Sequence, residues 1–318
     1  MITVKVPTTS ANLGPGFDCL GLALGLYNYI SFEESGEGIS ISGCNEKFCN
    51  EENLAYKAYI TTLTYKKAGI PAGLKINIRS EIPVSRGLGS SASLIVAGIA
   101  AADNIHNFGL SNEEKLLIAN ELEGHPDNAA PAIYGGLTAA TVRDGQPIVV
   151  KYDVCKDIKF ATLIPDFETS TEMARKLLPE DIKRTDAVYT VGCLGLLLKA
   201  LETGDEKALA AALDDRLHQP YRKQLIPGFD DIKALAIEKG AQGLLISGSG
   251  STLLAVGCSD DFEEKMEEAL KSIPGNWIVK MPEVDQNGAA QLSYPKVDGQ
   301  AHCKDYWDAC REKEMCRI

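Results

Sequence analysis

The chain has 318 residues, of which 45% are hydrophobic and 24% charged, a composition typical of a globular protein. Its formal net charge of -12 argues against nucleic acid and anionic membrane surfaces as partners, because an acidic surface is repelled by phosphate groups. No basic segment leads into an apolar one at the amino terminus, and the longest apolar run, residues 94–102, is far shorter than the ~20 residues of a membrane span, so we expect a soluble, cytoplasmic protein.

Strand and helix patterns alternate through the first half of the chain. Residues 2–6 and 27–35 are rich in β-branched and aromatic residues and predict strands. A helix is predicted over 53–68, and the two-residue alternation of 74–82 predicts a half-buried strand. Residues 111–124 begin with the spacing of a capping box and end in glycine, which predicts another helix.

The second half carries helical patterns at 187–204, 206–222 and 229–240. Two apolar strands joined by a glycine-serine turn are predicted over 243–257, followed by a further helix. We therefore predict a two-lobed α+β fold with mixed sheets and helices. Its domains are residues 1–152, with the phosphate loop, and residues 153–295, followed by a polar tail at 296–318.

A glycine-serine loop, PVSRGLGSSAS, leads directly into the apolar segment 94–105. Glycine lets a backbone approach a ligand closely, and the start of a helix offers free N–H groups and a positive dipole end. These features predict a di- or triphosphate site, although a plain strand-to-helix turn is the alternative. The candidate nucleotide-binding residues of the loop are Pro83, Val84, Ser85, Arg86, Gly87, Leu88, Gly89, Ser90, Ser91, Ala92 and Ser93.

The loop also fits the dinucleotide fingerprint GxGxxA, but a second helix is predicted after it where that fold requires a strand. The Walker pattern GxxxxGK[ST] is absent from the sequence. The nine cysteines include no CxxC pair and the four histidines lie far apart, so neither a zinc site nor a disulfide framework is expected.

Three ordered motifs resemble those of the GHMP superfamily, which contains galactokinase, homoserine kinase, mevalonate kinase and phosphomevalonate kinase. The motifs are the glycine-serine loop, TSANLGPGFDCLGLAL at 9–24 and SGSGST at 247–252. Four further segments resemble the homoserine kinase branch, namely ANLGPGFD at 11–18, EGHPDNAAPAIYGG at 123–136, STEMAR at 170–175 and HQPYR at 218–222. The resemblance covers about residues 1–290 and implies the GHMP kinase fold, with the ATP site at the glycine-serine loop.

The resemblance also implies roles for individual residues. Glu123 matches the acidic Mg²⁺ ligand, with Ser90 as a hydroxyl ligand, and Asn53 matches the adenine-side residue. The residues that match the amino-acid pocket are Asn12, Asp18, His125, Thr171, Arg175 and Arg222. In that pocket a carboxylate would hold the substrate's ammonium group, and arginines would hold its carboxylate.

Each of these polar residues has an ordinary alternative when taken alone. Asp18 suits a solvated turn, His125 a loop, and Arg175 a charged helix surface. Arg222 follows two acidic residues with which it could form a surface ion pair. The joint pattern is what favours a binding site.

The expected catalytic residues are Asn12, Glu123 and Asn128. Related kinases place an aspartate base where this chain has Asn128, and an amide cannot take a proton. We therefore expect catalysis from the phosphate loop, Mg²⁺ and Asn12 orienting the hydroxyl, with Asp127 as an alternative base.

The resemblance implies ATP-dependent phosphorylation of the side-chain hydroxyl of L-homoserine to O-phospho-L-homoserine, in threonine biosynthesis. The cofactors expected are ATP and Mg²⁺, the partner is a small-molecule substrate, and the chain could form a homodimer. Two alternatives remain open: a superfamily kinase acting on an isoprenoid or sugar alcohol, and a non-catalytic ligand-binding member.

Overall fold

The computed structural model describes residues 1–81 and 86–292. The loop residues Pro83, Val84 and Ser85 and the predicted tail 296–318 lie outside the described residues. Within the described ranges, no helix is both long and apolar enough to cross a membrane. The chain folds into two β-sheets with helices packed against them.

A seven-stranded sheet is built mainly from the first half of the chain. Its strands are β1 (Ile2–Ala11), β2 (Leu20–Ser35), β3 (Gly38–Ser42), β4 (Gly73–Ser80), β5 (Leu137–Arg143), β6 (Gln146–Tyr152) and β11 (Ala290–Leu292). The order is β11-β1-β2-β4-β3, with β5 pairing β2 and β6 pairing β5, and only the β3–β4 pair is parallel. The long β2 therefore joins both branches of the sheet.

A four-stranded antiparallel sheet forms the second lobe. Its strands are β7 (Phe160–Pro165), β8 (Gly243–Ile246), β9 (Leu253–Val256) and β10 (Trp277–Lys280), in the order β10-β7-β9-β8. The predicted boundary at residue 152 coincides with the end of β6, whereas β11 returns to the first sheet and pairs with β1.

Ten α-helices accompany the sheets within the described ranges. They are α1 (Leu54–Tyr65), α2 (Ser90–His106), α3 (Asn112–Glu123), α4 (Ala129–Tyr134), α5 (Thr171–Lys176), α6 (Arg184–Thr203), α7 (Glu206–Ala212), α8 (Gln219–Arg222), α9 (Phe229–Glu238) and α10 (Phe262–Leu270). The predicted two helices after the glycine loop are confirmed as α2 and α3.

Local sequence signals explain several helix ends. The side chain of Asn53 accepts a hydrogen bond from the N–H of Ala55 and starts α1. The predicted capping box of Ser111 and Glu114 is confirmed, and Gly124 ends α3 in a left-handed conformation. Glu123 is thereby placed on the last residue of a well-defined helix.

The predicted continuous helix over 206–222 is wrong, because α7 ends at Ala212 and α8 begins only at Gln219. The carboxylate of Asp215 accepts hydrogen bonds from the N–H groups of Leu217, His218 and Gln219. These bonds satisfy the backbone outside a helix, which is how aspartate competes with helical structure.

Three hydrophobic clusters hold the elements together. The first lies between the seven-stranded sheet and α1 to α4, where Phe32 stacks on Tyr59 at 5.9 Å between ring centroids. The second includes Leu22 and Leu24 of β2 with Leu245 and Leu254 of the smaller sheet, so it joins the two lobes. The third lies within the second lobe, where α9 and α10 pack on the smaller sheet. The loops between the lobes are therefore held in place from both sides.

Candidate active site

The three glycine-containing motifs of the sequence meet where the lobes join. The N–H of Thr9, in β1, donates to the carbonyl of Leu88 at 3.2 Å. The N–H of Thr252 donates to the carbonyl of Arg86 at 2.9 Å. Ser247 bridges all three segments, since its hydroxyl donates to the carbonyl of Gly87 at 2.6 Å and lies 2.8 Å from the Ser10 hydroxyl. Segments more than 230 residues apart in the sequence are therefore joined by hydrogen bonds into one polar surface.

At two positions of the predicted phosphate loop other atoms lie so close to the backbone that only glycine fits. Gly87 has φ of +76°, and a Cβ there would lie 2.3 Å from the carbonyl oxygen of Ser247. Gly89 has φ of +65°, and a Cβ would lie 1.9 Å from the Thr9 hydroxyl. Both features suit glycine alone. Gly89 is also the cap of α2, so the free N–H groups of this 17-residue helix start at the loop.

The other described loop residues divide into exposed and occupied side chains. Ser90 is half-buried and Ser91 exposed, at the start of α2. Leu88 and Ala92 are buried in the core, so only their backbone could reach a ligand. The Ser93 hydroxyl is buried and bonds to Asn28 and to the carbonyl of Ser90. The loop therefore offers backbone and two serines to a phosphate.

Arg86 faces the second lobe. Its guanidinium donates to the carbonyls of Pro165 and Asp166 and lies 3.2 Å from a carboxylate oxygen of Glu168. These bonds tie the glycine loop to the end of β7.

Glu123 is the buried carboxylate beside the loop. Its Oε2 is shielded from solvent and has no hydrogen-bond partner among the described residues. Burial raises the pKa of its carboxyl to about 7, the charge of Asp127 adds to the rise, and His125 and a hydrogen bond from Ser91 oppose it. A buried carboxylate oxygen without a hydrogen-bond partner is costly, so a cation beside Oε2 would stabilise this carboxylate.

This orphaned oxygen is the test of whether the site suits Mg²⁺. A cation beside Glu123 would supply the missing partner and favour the charged carboxylate. Carboxylate and hydroxyl oxygens are ligands that Mg²⁺ prefers, and serines at the start of α2 lie close enough for Ser91 to bond Glu123. The residues present therefore fit a divalent cation.

Asn12 joins the amino-terminal motif to the 247–252 turn. Its amide Nδ2 donates to the carbonyl of Gly248 at 2.8 Å, and its Oδ1 accepts from the N–H of Asp18 at 2.9 Å. Asn12 and Asp18 both have positive φ, 71° and 54°, so the turn that carries them is held in a conformation few residues adopt. One amide thus fixes where the Asp18 carboxylate stands.

Asp18 faces Arg175, the predicted cation of α5. The two guanidinium nitrogens of Arg175 lie 2.8 and 3.0 Å from the two Asp18 oxygens, a bidentate pair. Both side chains remain about one-third exposed. The pair can therefore be reached by a ligand that carries both charges.

Arg222 is the buried cation of the same pocket. It is 2% exposed, and it donates to the carbonyl of Gly248 at 3.0 Å. Among the described residues it forms no ion pair with a carboxylate. Burial lowers its pKa to about 10, and the positive charge of Arg175 adds to that effect. Asp18, Asp127 and Asp215 oppose that fall, but Arg222 has no carboxylate in direct ion-pair contact among the described residues, so an anion beside it would be stabilised.

His125 and Asp127 link the metal side to this pocket. His125 Nδ1 donates to the Asp127 carboxylate at 2.8 Å, which raises the pKa of the imidazole. Arg175 is close enough to oppose that rise.

Asn128, next along the chain, accepts at Oδ1 from the Thr9 hydroxyl at 2.8 Å, beside Gly89. Thr171 lies 3.2 Å from the Ser249 hydroxyl. These contacts link the predicted residues into one polar network beside the glycine loop and the 247–252 turn.

Asn53 stands apart from this network. Its Nδ2 donates to the carbonyl of Phe48, and its Oδ1 caps α1. The Asn53 side chain is buried, and its bonds go to the segment that precedes α1 and to α1 itself. An open groove of about 550 Å³, lined by Ile39 and residues 49–52, lies on that preceding segment.

The sequence did not indicate three residues that support the pocket. Phe17 stacks on His218 at 5.1 Å, and the Arg222 guanidinium lies 5.0 Å from the Phe17 ring. His218 is fully buried and its Nε2 donates to the carbonyl of Gly14 at 2.9 Å. Asp215 caps the turn that carries His218. His218 belongs to the HQPYR segment, so the sequence drew attention to its position but could not show that it bonds to Gly14.

Comparison with known proteins identifies the class first. The family described as GHMP kinases N terminal domain matches residues 53–136, and GHMP kinases C terminal matches residues 197–275. Together with the fold and the glycine loop, these matches define a GHMP kinase. The crystal structure of a mevalonate kinase shares the fold, with a TM-score of 0.68 at 17% identity over 89% of this chain and 100% of that one.

Closer relatives narrow the class. The homoserine kinase of Caldicellulosiruptor saccharolyticus is 44% identical over 301 residues, which cover 92% of this chain and 97% of that protein. The homoserine kinase of Clostridium beijerinckii is 43% identical over 93% of this chain and all of that protein. The crystal structure of homoserine kinase from Cytophaga hutchinsonii superposes with a TM-score of 0.84 at 31% identity, covering 92% of this chain and 97% of that one. The chain therefore belongs to the homoserine kinase family of GHMP kinases.

Proposed function

We propose that the protein phosphorylates the side-chain hydroxyl of L-homoserine with ATP, forming O-phospho-L-homoserine for threonine biosynthesis. The observation that supports homoserine as the substrate is the pocket formed by Asp18, Arg175 and Arg222. An α-amino acid bears an ammonium and a carboxylate on one carbon, so its site needs opposite charges side by side. The bidentate Asp18–Arg175 pair beside the unpaired charge of Arg222 meets that requirement.

In this proposal the substrate carboxylate takes the place between Arg175 and Arg222, and the ammonium lies against Asp18. A carboxylate at this place stabilises the charged form of Arg222, because an anion offsets the repulsion between the two guanidinium groups. Binding energy from this non-reacting end then positions the distant hydroxyl.

The proposed reaction centre lies between the pocket and α2. Asn12 keeps one amide N–H beyond its bond to Gly248, and we assign it to orienting the hydroxyl. Glu123 and Ser90 would hold Mg²⁺, which when bound neutralises the charge of the phosphates. The free N–H groups at the start of α2 receive phosphate oxygens.

No carboxylate base is needed in this scheme. Asn128 cannot take a proton, and an oxygen of Asp127 already accepts from His125. Phosphoryl transfer depends chiefly on position and charge neutralisation, so orientation by Asn12 is sufficient.

A substrate panel tests the proposal. Steady-state kinetics with ATP should give homoserine the highest kcat/KM, with phosphorus NMR identifying O-phosphohomoserine as the product. 3-Aminopropan-1-ol, which lacks the carboxylate, should lose roughly 10- to 150-fold, the equivalent of one charge-assisted hydrogen bond at about 1.5–3 kcal/mol. Mevalonate or galactose as the preferred acceptor would favour another superfamily kinase, and nucleotide binding without turnover on any alcohol would favour a binding protein.

We also propose that Mg²⁺ is the resident cation, that the protein works in the cytoplasm, and that it forms a homodimer. The Glu123 site supports Mg²⁺ as the cation. Cell fractionation tests the location, and light scattering after size-exclusion chromatography tests the homodimer.

A further inference from the structure

The segment between β3 and α1, residues 44–52, brings two cysteines together. Cys44 and Cys49 have their sulfur atoms 3.7 Å apart. A short 3-10 turn at Glu46–Phe48 lies between them, and the N–H of Cys49 donates to the carbonyl of Glu46. Of the six cysteines in the described ranges, these are the two whose sulfurs touch each other.

Both cysteines are at least partly exposed to solvent. Cys49 is exposed and lines the open groove described above, and Cys44 is half-buried and packs against the first hydrophobic cluster. The segment is anchored at its start by Gly43, where a Cβ would lie 1.8 Å from the carbonyl oxygen of Ile78. It is anchored at its end by the Asn53 cap of α1. The short stretch between these anchors lies outside the sheet strands, so we expect a small rearrangement there to leave the sheet intact.

We propose that Cys44 and Cys49 are a redox modification site, which a small-molecule disulfide converts reversibly into an intramolecular disulfide. A disulfide bond is about 2.0 Å long, so the two sulfurs need to approach by roughly 1.7 Å. Loop residues between fixed ends can supply such a movement by small backbone rotations.

The chemistry proceeds in two exchange steps. The Cys49 thiolate attacks one sulfur of glutathione disulfide, which forms a mixed disulfide and releases one glutathione. The Cys44 thiol then loses its proton, its sulfur attacks the Cys49 sulfur of the mixed disulfide, and the second glutathione leaves as a thiolate that takes up a proton. Two thiols are oxidised and one disulfide is reduced.

The order follows from exposure. Burial raises the pKa of the Cys44 thiol to about 11, and its hydrogen bond and charge interaction with Cys49 add to the rise. Cys44 is therefore mostly protonated near neutral pH in the reduced protein, whereas the exposed Cys49 meets the oxidant first. Once Cys49 is in the mixed disulfide its charge no longer opposes ionisation of Cys44, and the small thiolate fraction of Cys44 carries out the second step.

The proposed disulfide would bear directly on Asn53. The Asn53 amide donates to the carbonyl of Phe48 at 3.0 Å and lies 4.0 Å from the Cys44 sulfur. Oxidation therefore fixes the wall of the groove against the cap of α1. The family resemblance implies that Asn53 lies on the adenine side of the proposed ATP site. On that basis, which rests on the proposed function, we expect the locked wall to adapt less well to nucleotide.

Mass spectrometry of the folded, full-length protein tests the thiol pair. The protein is incubated with glutathione disulfide and its remaining thiols are blocked with N-ethylmaleimide. Trypsin cleaves after Lys47, so the disulfide joins the peptide of residues 6–47 to that of 48–57, and fragmentation distinguishes Cys44 from Cys19. We expect this linkage to dominate and to disappear with dithiothreitol.

Matched variants separate the two steps. Cys44→Ser should leave a stable glutathione adduct on Cys49, and Cys49→Ser should show neither adduct nor linkage in this segment. Cys155→Ser, a half-buried cysteine elsewhere, should behave like the wild type. Failure to form the 44–49 linkage, or its formation no faster than other cysteine pairings, overturns the proposal.

Kinetics tests the effect on the groove. Oxidation should raise the KM for ATP by about threefold or more while the KM for homoserine stays unchanged, and Cys49→Ser should abolish the effect. A fully formed disulfide with unchanged ATP kinetics would refute the coupling to nucleotide. Absence of homoserine turnover in the reduced protein would instead refute the proposed function and leave the mass result standing.

Discussion

The phosphate loop and the amino-acid pocket are adjacent, yet they are built in opposite ways. Around Gly87 and Gly89 the geometry is set by backbone, with carbonyls and N–H groups of three segments bonded before any ligand arrives. The pocket is set by side-chain charges on a turn and on two short helices: Asp18, Arg175 and Arg222. A backbone site has no space for a side chain. A charge site keeps its shape when one charge is lost but binds more weakly.

The largest effect should come from adding a side chain to the backbone site. Gly89→Val should abolish measurable ATP binding, because its Cβ collides with Thr9 in a conformation that disfavours side chains. Isothermal titration calorimetry measures the affinity, and circular dichroism checks folding.

Gly109→Val is the matched control for that change. Gly109 has φ of +68°, close to the +65° of Gly89, but a Cβ there would meet nothing within 4 Å. It should cost stability without affecting ATP affinity. Equal nucleotide affinity in the Gly89 and Gly109 variants would remove the loop from the site.

Next in size is the loss of the buried carboxylate that lies between the two regions. Glu123→Gln should lower kcat by about 100-fold or more, because the cation loses its charged protein ligand in a site shielded from water. The fold should persist, since Oε2 makes no hydrogen bond within the described residues. Steady-state kinetics over a range of Mg²⁺ concentrations measures the loss, and near-normal turnover at ordinary Mg²⁺ would contradict the assignment.

The charge site should lose affinity in a graded way. Arg222→Met or Arg175→Met should each lower kcat/KM for homoserine by roughly 10- to 150-fold with little change in ATP affinity. The double variant should lose less than the product of the two, because both groups act on one carboxylate. Arg216→Met, which removes an exposed pair with Asp186, is the control and should be nearly neutral. If these variants lost as much affinity for ATP as they lost kcat/KM for homoserine, the two regions would not be separate binding sites.

A smaller effect is expected from the residue that positions the pocket's turn. His218→Leu removes the donor to Gly14 and should raise the KM for homoserine by about fivefold at unchanged ATP KM, since one hydrogen bond is worth about 1 kcal/mol. His218→Gln retains a donor and should recover most of the affinity. If both variants only lower thermal stability, His218 has no positioning role.

The smallest effect concerns pH. Burial lowers the pKa of His218, with Arg222 adding to the fall and Asp215 opposing it, so the unfolded chain takes up this proton before the folded one does. Stability should therefore decline as the pH falls below about 6.5, the ordinary histidine value. The decline should be shallower in His218→Gln, measured as melting temperature between pH 7 and pH 5. An unchanged slope would show that His218 contributes nothing to it.

Much of the fold was readable from local patterns. The capping box of α3, the alternation of β4 and the glycine-serine hairpin of β8 and β9 each act over a few neighbouring residues, and each was confirmed. The helix expected over 206–222 failed because Asp215 offers its carboxylate to three backbone N–H groups. That competition between side chain and backbone is invisible in a helical pattern of apolar residues.

The sequence by itself determined the family and the residue types of the site: a glycine loop before a helix, a glutamate at a helix end, and the acidic and basic residues of a zwitterion pocket. Only the tertiary structure decided which of those groups is already engaged. Arg86 and Ser93 are bonded within the protein, Glu123 keeps a buried oxygen without a partner in the described chain, and Arg222 is buried beside a second cation. The physical reason is that burial and pairing depend on residues distant in sequence, and these set the charge, the pKa and the availability of every side chain.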